Sequence, residues 1–326
     1  MSVNQKNISF SIIIPVYNRP DEIDELLESL TRQSFKGFEV IIVEDGSNIT
    51  CKKVVNKYEK QLQIRYIFQE NKGPGIARNT GMLQAQSQYF VILDSDVILP
   101  DNYLSIVNNQ LQKKFVDAYG GPDAAMDNFT PIQKAINYAM TSFLTTGGIR
   151  GKSEKAGKFY PRSFNMGISK EVFQKTGGFS EMRYGEDIDL SIRIMKNGFK
   201  TALIQQAFVY HKRRNTLKSF YHQVKHSGEA RIILHHKHRG SLKPVHFFPA
   251  LFTIGLVLSV LLSFLRIYWL FYIYLLYFLL LIIDAFKQYK SVKLALYSAI
   301  ASVVMLTGYG WGFIQTFVRR QDENKK

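Results

Sequence analysis

Between residues 10 and 100 the chain alternates four apolar runs with three stretches of helical periodicity, and few folds accept that order. Phe10 to Val16 is a continuous apolar strand that runs into Pro15-Val-Tyr-Asn18. Ile23, Leu26, Leu27 and Leu30 then recur at helical spacing, with Asp21 and Glu22 in the first turn, where acidic groups suit the helix dipole. Phe38 to Val43 is the second strand and ends in Glu44-Asp45-Gly46-Ser47. Val54, Val55 and Tyr58 mark a short helix, Leu62 to Phe68 a third strand, and Pro74 to Ala85 a helix entered through Gly73-Pro74-Gly75. Tyr89 to Leu93 is the fourth strand. Unbroken apolar runs suit strands covered on both faces. The βαβαβαβ order therefore predicts a largely parallel sheet with right-handed crossovers and helices on both sides.

The fourth strand opens into Asp94-Ser95-Asp96. Carboxylates are rarely buried unless paired or bound to a metal. In an open α/β sheet, ligands sit beyond the carboxyl ends of the strands. Two hard oxygen donors at that place suit a divalent cation that also touches a diphosphate. Alone, such a pair serves as readily as a cap for the helix starting near Pro100. Its companions shift the balance. Asp45 ends another strand and can converge on the same crevice, Arg78 lies early in the Gly-rich helix where it can reach a phosphate, and Gly185-Glu186-Asp187 sets a further carboxylate at a helix start. His211 ends a strand-like stretch beside Lys212-Arg213-Arg214, so it reads equally as a metal or diphosphate contact and as part of a basic face.

Residues 101–211 are less regular. A helix is expected over Tyr103–Leu111 and a strand over Phe115–Tyr119; Ile132–Phe143 carries apolar and aromatic groups around much of its surface, and Gly147 to Lys158 reads as a mobile loop rich in Gly and Lys. A strand over Phe164–Ile168, a helix stopped by Gly177-Gly178, a helix after Gly185 and a strand over Lys200–Tyr210 complete the region.

The chain carries a net charge of +16, which points to nucleic acid, a membrane surface or anionic substrates. Much of the excess lies in residues 212–243, where nine Lys and Arg face only Glu229. Leu217, Phe220, Tyr221 and Val224 recur there at three and four, as in a basic amphipathic helix on an anionic membrane lipid surface. Nucleic acid is set aside because uncharged segments follow at about 244–265, 267–283 and 294–318. Each approaches the ~20 residues that a bilayer crossing needs. The domains are thus expected at 1–211, 212–243, 244–318 and a polar tail at 319–326. The basic segment and the Lys287, Lys290, Lys293 turn should face the cytoplasm, with the protein in the inner membrane. A third crossing would put Arg319 and Arg320 outside, unless Gly308–Gly312 breaks the last segment into a re-entrant or interfacial piece. No signal peptide is read at the amino terminus, and Cys51 alone forms no internal disulfide.

Pro15-Val-Tyr-Asn18, Glu44-Asp-Gly-Ser47, Gly73-Pro-Gly-Ile-Ala-Arg-Asn-Thr-Gly81, Asp94-Ser-Asp96, Asn165-Met-Gly167, Gly177-Gly-Phe179 and Gly185-Glu-Asp-Ile-Asp-Leu190 resemble, in order and spacing, the family 2 glycosyltransferases. The resemblance covers about residues 8–211, and the carboxyl-terminal part is similar to the membrane-bound exopolysaccharide, succinoglycan-type branch. It implies an α/β GT-A fold, a nucleotide-sugar donor (a UDP-sugar is the expectation) and inversion at the anomeric carbon. By the same resemblance Pro15, Tyr17, Asp45, Arg78, Asp94 and Ser95 would line the donor, and Asp96, with His211, would hold Mg²⁺ or Mn²⁺. Asp187 would be the general base, with Glu186 and Asn165 on the acceptor side. The Gln-x-x-Arg-Trp of processive synthases is missing; Gln223-Val-Lys-His226 is the nearest stretch. Transfer of single sugars to a polyprenyl-diphosphate-linked or saccharide acceptor is therefore expected over processive synthesis. A nucleotidyltransferase and a catalytically silent membrane scaffold are the alternatives from other classes.

Overall fold

The computed structural model describes residues 8–126, 129–147 and 159–323. By contacts the chain forms two compact units, one of residues 1–126 with 154–212 and the other of 127–153 with 213–326. In chain order the strands are β1 (Phe10–Val16), β2 (Phe38–Asp45), β3 (Ile64–Gln69), β4 (Tyr89–Leu93), β5 (Val97–Ile98), β6 (Ala118–Gly120), β7 (Asp123–Ala124), β8 (Asn165–Ser169), β9 (Thr201–Leu203) and β10 (Val209–His211). The helices are α1 (Pro20–Thr31), α2 (Lys52–Val55), α3 (Pro74–Gln84), α4 (Tyr103–Lys113), α5 (Pro131–Thr141), α6 (Phe143–Thr146), α7 (Lys170–Thr176), α8 (Glu186–Lys196), α9 (Leu217–Lys237), α10 (Phe248–Phe264), α11 (Trp269–Tyr289) and α12 (Val292–Glu323).

The first unit is built on a sheet ordered β3-β2-β1-β4-β8-β6-β9. Its β3-β2-β1-β4 half is parallel, and β8 runs antiparallel to both β4 and β6. Alternate residues of one strand serve opposite faces, as the two-residue period requires. Ile12, Ile14, Val40 and Ile42 pack with Leu26, Leu27, Leu104 and Val107 of α1 and α4. Ile13, Ile41 and Val43 pack with Ala77 and Met82 of α3 and Leu190 and Ile194 of α8. The chain steps from β1 outward to β2 and β3, then returns to place β4 on the other side of β1. The crevice expected at such a reversal opens at the carboxyl ends of β1 and β4.

The stretch expected as one strand over Lys200–Tyr210 is two. β9 joins β6 in the large sheet, while β10 leaves it for a three-stranded sheet ordered β5-β10-β7. β5 and β7 are only two residues each, too short to leave a periodic signal. Their effect is large, because the pairing of His211 with Val97 carries His211 to the edge of the Asp94–Asp96 turn.

In the second unit, Ala135, Ile136, Ala139 and Met140 of α5 pack with Phe220 and Val224 of α9 and Ala301 of α12. These helices cover the apolar side of α5, which therefore packs in this unit. The apolar side of α9 is likewise occupied by protein, whereas a helix lying on a membrane would turn it to lipid. Among the described residues, three helices are long and apolar enough to cross a membrane by length and composition, over Pro244–Phe264, Trp269–Tyr289 and Val292–Arg320. α12 continues through Gly308–Gly312 without a break. Those glycines serve close approach instead: a Cβ at Gly312 would stand 2.1 Å from the Lys225 carbonyl oxygen, and one at Gly228 equally close to that of Tyr309. Gly147 ends α6 in the left-handed region, and residues 148–158 of the expected mobile loop lie outside the described residues.

Candidate functional site

The site begins with three turns at the carboxyl ends of β1, β2 and β4. After β2 the chain turns at Gly46, whose φ of +73° and closeness to Asn71 exclude a side chain. The Asp45 carboxylate accepts from the Gln69 amide at 2.7 Å and from the backbone N–H groups of Lys72 and Gly73 at 2.9 Å. It thereby shapes the loop that leads into α3. After β1, Asn18 takes a left-handed conformation, and its side-chain oxygen accepts from the N–H groups of Asn48 and Ile49. This fixes the backbone ahead of Arg19. Pro15 is half-buried, and Tyr17 stands half exposed at the rim. A cleft of about 240 Å³ lies beside the start of α3, lined by Lys72, Gly73, Ile76, Ser180 and Arg183 among others.

After β4, Ser95 is buried, while Asp94 and Asp96 turn toward the crevice. Oxygens of Asp94 and Asp96 and a ring nitrogen of His211 all lie within 4.8 Å of one another. Asp96 Oδ2 accepts from Arg19 Nη1 at 2.8 Å. Its Oδ1 is buried 3.2 Å from His211 Nε2, an ionic contact, and has no hydrogen-bond partner among the described residues. Burial alone would raise the Asp96 carboxyl; His211 and Arg19 outweigh it and hold the group well below the ordinary carboxylate range. The His211 ring stacks on Phe164 at 4.9 Å between centroids, which sets its orientation. Two carboxylates and an imidazole, with one carboxylate oxygen still unsatisfied, fit a Mg²⁺ or Mn²⁺ ion.

Arg78 connects this turn to α8. Its guanidinium, 4% exposed, donates to Asp94 at 2.7 Å and to Glu186 at 2.9 Å, and lies 5.1 Å from the centre of the Phe179 ring. Both ends of the Arg78 fork lie on carboxylates, so the group positions Asp94 and Glu186 against each other. Burial lifts the Glu186 carboxyl above its ordinary value; Arg78 pulls it back and the neighbouring Asp187 charge adds to the rise.

Gly185, with φ of +78°, turns the chain into α8 and starts it with Glu186 and Asp187. Asp187 Oδ2 pairs with Arg162 Nε at 2.8 Å, and Oδ1 accepts from the Ile188 N–H at 2.8 Å. Four residues along the same helix, Ser191 Oγ donates to the Pro161 carbonyl, so α8 also fixes the backbone that presents Arg162. Asn165 does not face an acceptor. It is fully buried, accepts from Tyr103 Oη at 2.6 Å and donates to the Ala207 carbonyl at 2.8 Å, a core link between layers. Arg19 and Arg162 are site residues that the pattern of the sequence leaves out. Arg19 follows directly on Pro15–Asn18, which is the one signal that points to it.

The model of the family described as "Glycosyl transferase family 2" matches residues 11–177, just over half of the chain. Among relatives, the chondroitin synthase of Pasteurella multocida (strain Pm70) is 27% identical over 245 residues, which cover 64% of this chain and 25% of that protein. The uncharacterized glycosyltransferase EpsJ of Bacillus subtilis (strain 168) is 24% identical over 215 residues, 64% of this chain and 62% of that one. The chain spans a quarter or less of the first Rickettsia and Pasteurella relatives. Among solved structures, the mannosyltransferase PcManGT from Pyrobaculum calidifontis, in complex with GDP-Man and Mn²⁺, aligns over 95% of this chain and 87% of its own at a TM-score of 0.59 and 16% identity. Residues 1–349 of S. aureus TarS with UDP-GlcNAc align over 94% and 92% at 0.51 and 19%. These structural likenesses carry the fold. The family match places this chain in glycosyl transferase family 2, and the structural likenesses give it the GT-A fold.

Proposed function

We propose that the chain transfers one sugar at a time from a nucleotide-sugar donor, a UDP-sugar, to a lipid-linked or saccharide acceptor in the synthesis of a cell-surface polysaccharide, while its carboxyl-terminal helices anchor it in the membrane. The observation that carries this reading is the junction made by Arg78. One guanidinium holds Asp94 of the diphosphate side and Glu186, next to Asp187, of the acceptor side. The two halves of a transfer site are thereby fixed against each other.

In this reading Asp94, Asp96 and His211 would hold Mg²⁺ or Mn²⁺, and such an ion would supply positive charge against the departing diphosphate. Tyr17 and the Asp45-braced loop line the base and ribose. Asp187 takes the proton from the acceptor hydroxyl as that oxygen attacks the anomeric carbon, so the product is inverted and no covalent enzyme intermediate forms. Arg162, 2.8 Å from Asp187 Oδ2, keeps that carboxylate aimed until the acceptor arrives. The family relation to a chondroitin synthase and the UDP-GlcNAc and GDP-Man complexes of the structural neighbours support a nucleotide-sugar donor. The basic side chains of α9 are suited to anionic lipid headgroups. Membranes containing the protein, incubated with a panel of labelled nucleotide sugars, should pass one label into the lipid or saccharide fraction, and a chelator should abolish this. Label released only as free sugar from every donor would count against transfer.

A further inference from the structure

Helix α12 does not sit among its neighbours as a membrane-crossing helix would. The middle of its apolar span lies against α9. Phe220 packs with Ala301, and a Cβ at Gly308 would meet Val224 at 2.8 Å. Arg231 of α9 hydrogen-bonds to Tyr309, and the Lys225 backbone touches Gly312. α9 carries Lys218, Lys225, Glu229, Arg231 and Lys237 within its 21 residues. One charge at the centre of a bilayer costs about 2.5–3.5 kcal/mol even on lenient scales. A helix with five of them lies outside the hydrocarbon, and the part of α12 that it covers lies there too.

α5 covers a second side of α12 through Ala301. The exposed large apolar residues of α12 are Val292, Leu296, Ile300, Trp311, Phe317 and Val318. At about 100° per residue these six fall within one face about 120° wide, the pattern of a helix lying in an interface. α12 also runs across the base of the α10–α11 hairpin. Ala295 and Ala299 pack with Leu281 and Ala285 near the end of α11, and Phe313 packs with Ala250 near the start of α10. Beyond that base the hairpin is exposed, with Phe264 at 80%, Leu265 at 69% and Trp269 at 61%. Its tip sets Arg266 beside Tyr268, Trp269 and Tyr272, residue types that favour a membrane–water boundary.

The lengths agree. Thr253, level with Leu306 of α12, is eleven residues from Phe264, or about 17 Å of helix. An interfacial helix sinks about 5–10 Å. Together these approach the ~27–30 Å thickness of a hydrocarbon core.

We propose that the chain crosses the bilayer twice, by α10 and α11, and that α12 lies along the near interface as the platform of that hairpin. The Lys287–Lys293 turn and the end of α12 then share one side. This rests on the membrane reading above and decides its topology. It also places Lys287, Lys290, Lys293, Arg319 and Arg320 together, as the charge rule prefers.

The test is labelling of single cysteines introduced by Lys290→Cys, Arg266→Cys and Arg320→Cys in the full chain. A membrane-impermeant maleimide is applied to right-side-out and inverted vesicles. Cys51 is buried and gives little background. Lys290→Cys and Arg320→Cys should label from the same face, and Arg266→Cys from the other. Labelling of Lys290→Cys and Arg320→Cys from opposite faces would mean three crossings and overturn the proposal. Labelling of Arg266→Cys from the face of Lys290→Cys would overturn the two crossings. Release of the intact protein by alkaline carbonate would instead defeat the membrane reading itself, and the proposal with it.

Discussion

Arg78→Met removes the guanidinium that joins Asp94 to Glu186. Arg78 is almost fully buried and Glu186 is 9% exposed, while Asp94, at 31%, keeps contact with water. The cost therefore falls mainly on Glu186, which is left charged and buried. Breaking such a pair from one side costs about 3–5 kcal/mol. In a domain of this size that lowers the melting temperature by roughly 6–20 °C, at about 2–4 °C per kcal/mol. The assay is thermal unfolding of the detergent-solubilised chain, followed by circular dichroism. The transition that UDP shifts upward belongs to the catalytic unit. Glu186→Gln in the Arg78→Met background should restore more than half of the loss, because the orphaned charge is gone. The pH dependence has a definite sign. The folded-state pKa of Glu186 already lies above its usual 4.5, and without Arg78 it rises further. The penalty of Arg78→Met is thus full above that raised pKa and fades as pH falls through it. An equal penalty with and without Glu186→Gln, or one that grows toward acid, would refute the reasoning.

Asp96→Asn removes a charge from the cation site and should weaken both Mn²⁺-dependent UDP binding and turnover, read by calorimetry with and without Mn²⁺. Arg19→Gln frees Asp96 Oδ2, which accepts a 2.8 Å bond from that arginine. Mn²⁺ affinity without nucleotide, read by electron paramagnetic resonance of free Mn²⁺, should rise about tenfold, the equivalent of one charge-assisted hydrogen bond. Gly185→Ala forces a side chain into a left-handed turn at φ +78° and should cost about 1 kcal/mol in the same melts, with a larger loss in transfer because Asp187 is re-aimed.

Much of the catalytic unit is legible in the sequence because its first ninety residues obey local rules. β1 has the predicted bounds, and β2, β3, α3 and β4 agree within two residues, since burial on both faces leaves unbroken apolar runs. The positions of Asp45, Asp94, Asp96 and Asp187 at element ends could be read in the same way. What escaped depends on contacts far apart in the chain. Arg19 meets Asp96 across 77 residues, and Arg78 meets Glu186 across 108. A guanidinium near a phosphate-binding loop and one buried between carboxylates look alike in a sequence. Asn165 misled for a similar reason: polar residues near a site motif suggest a ligand, yet here the amide is a core crosslink. In the second unit, hydropathy marks three candidate spans, the last less apolar than the others (mean hydropathy 1.5 against 2.3 and 2.1), whereas the charges of α9 against α12 emerge only from packing.

Asp187→Asn tests the central claim most directly. The substitution keeps the size of the side chain but cannot accept the proton of the acceptor hydroxyl. Transfer of labelled sugar is measured beside UDP and Mn²⁺ binding on the same preparation. Transfer should fall by about 10²–10⁴-fold, the usual worth of a general base, with UDP and Mn²⁺ affinities near those of the unmodified protein. Transfer at the unmodified rate would contradict the assignment of Asp187 and move the proton's destination elsewhere in the site.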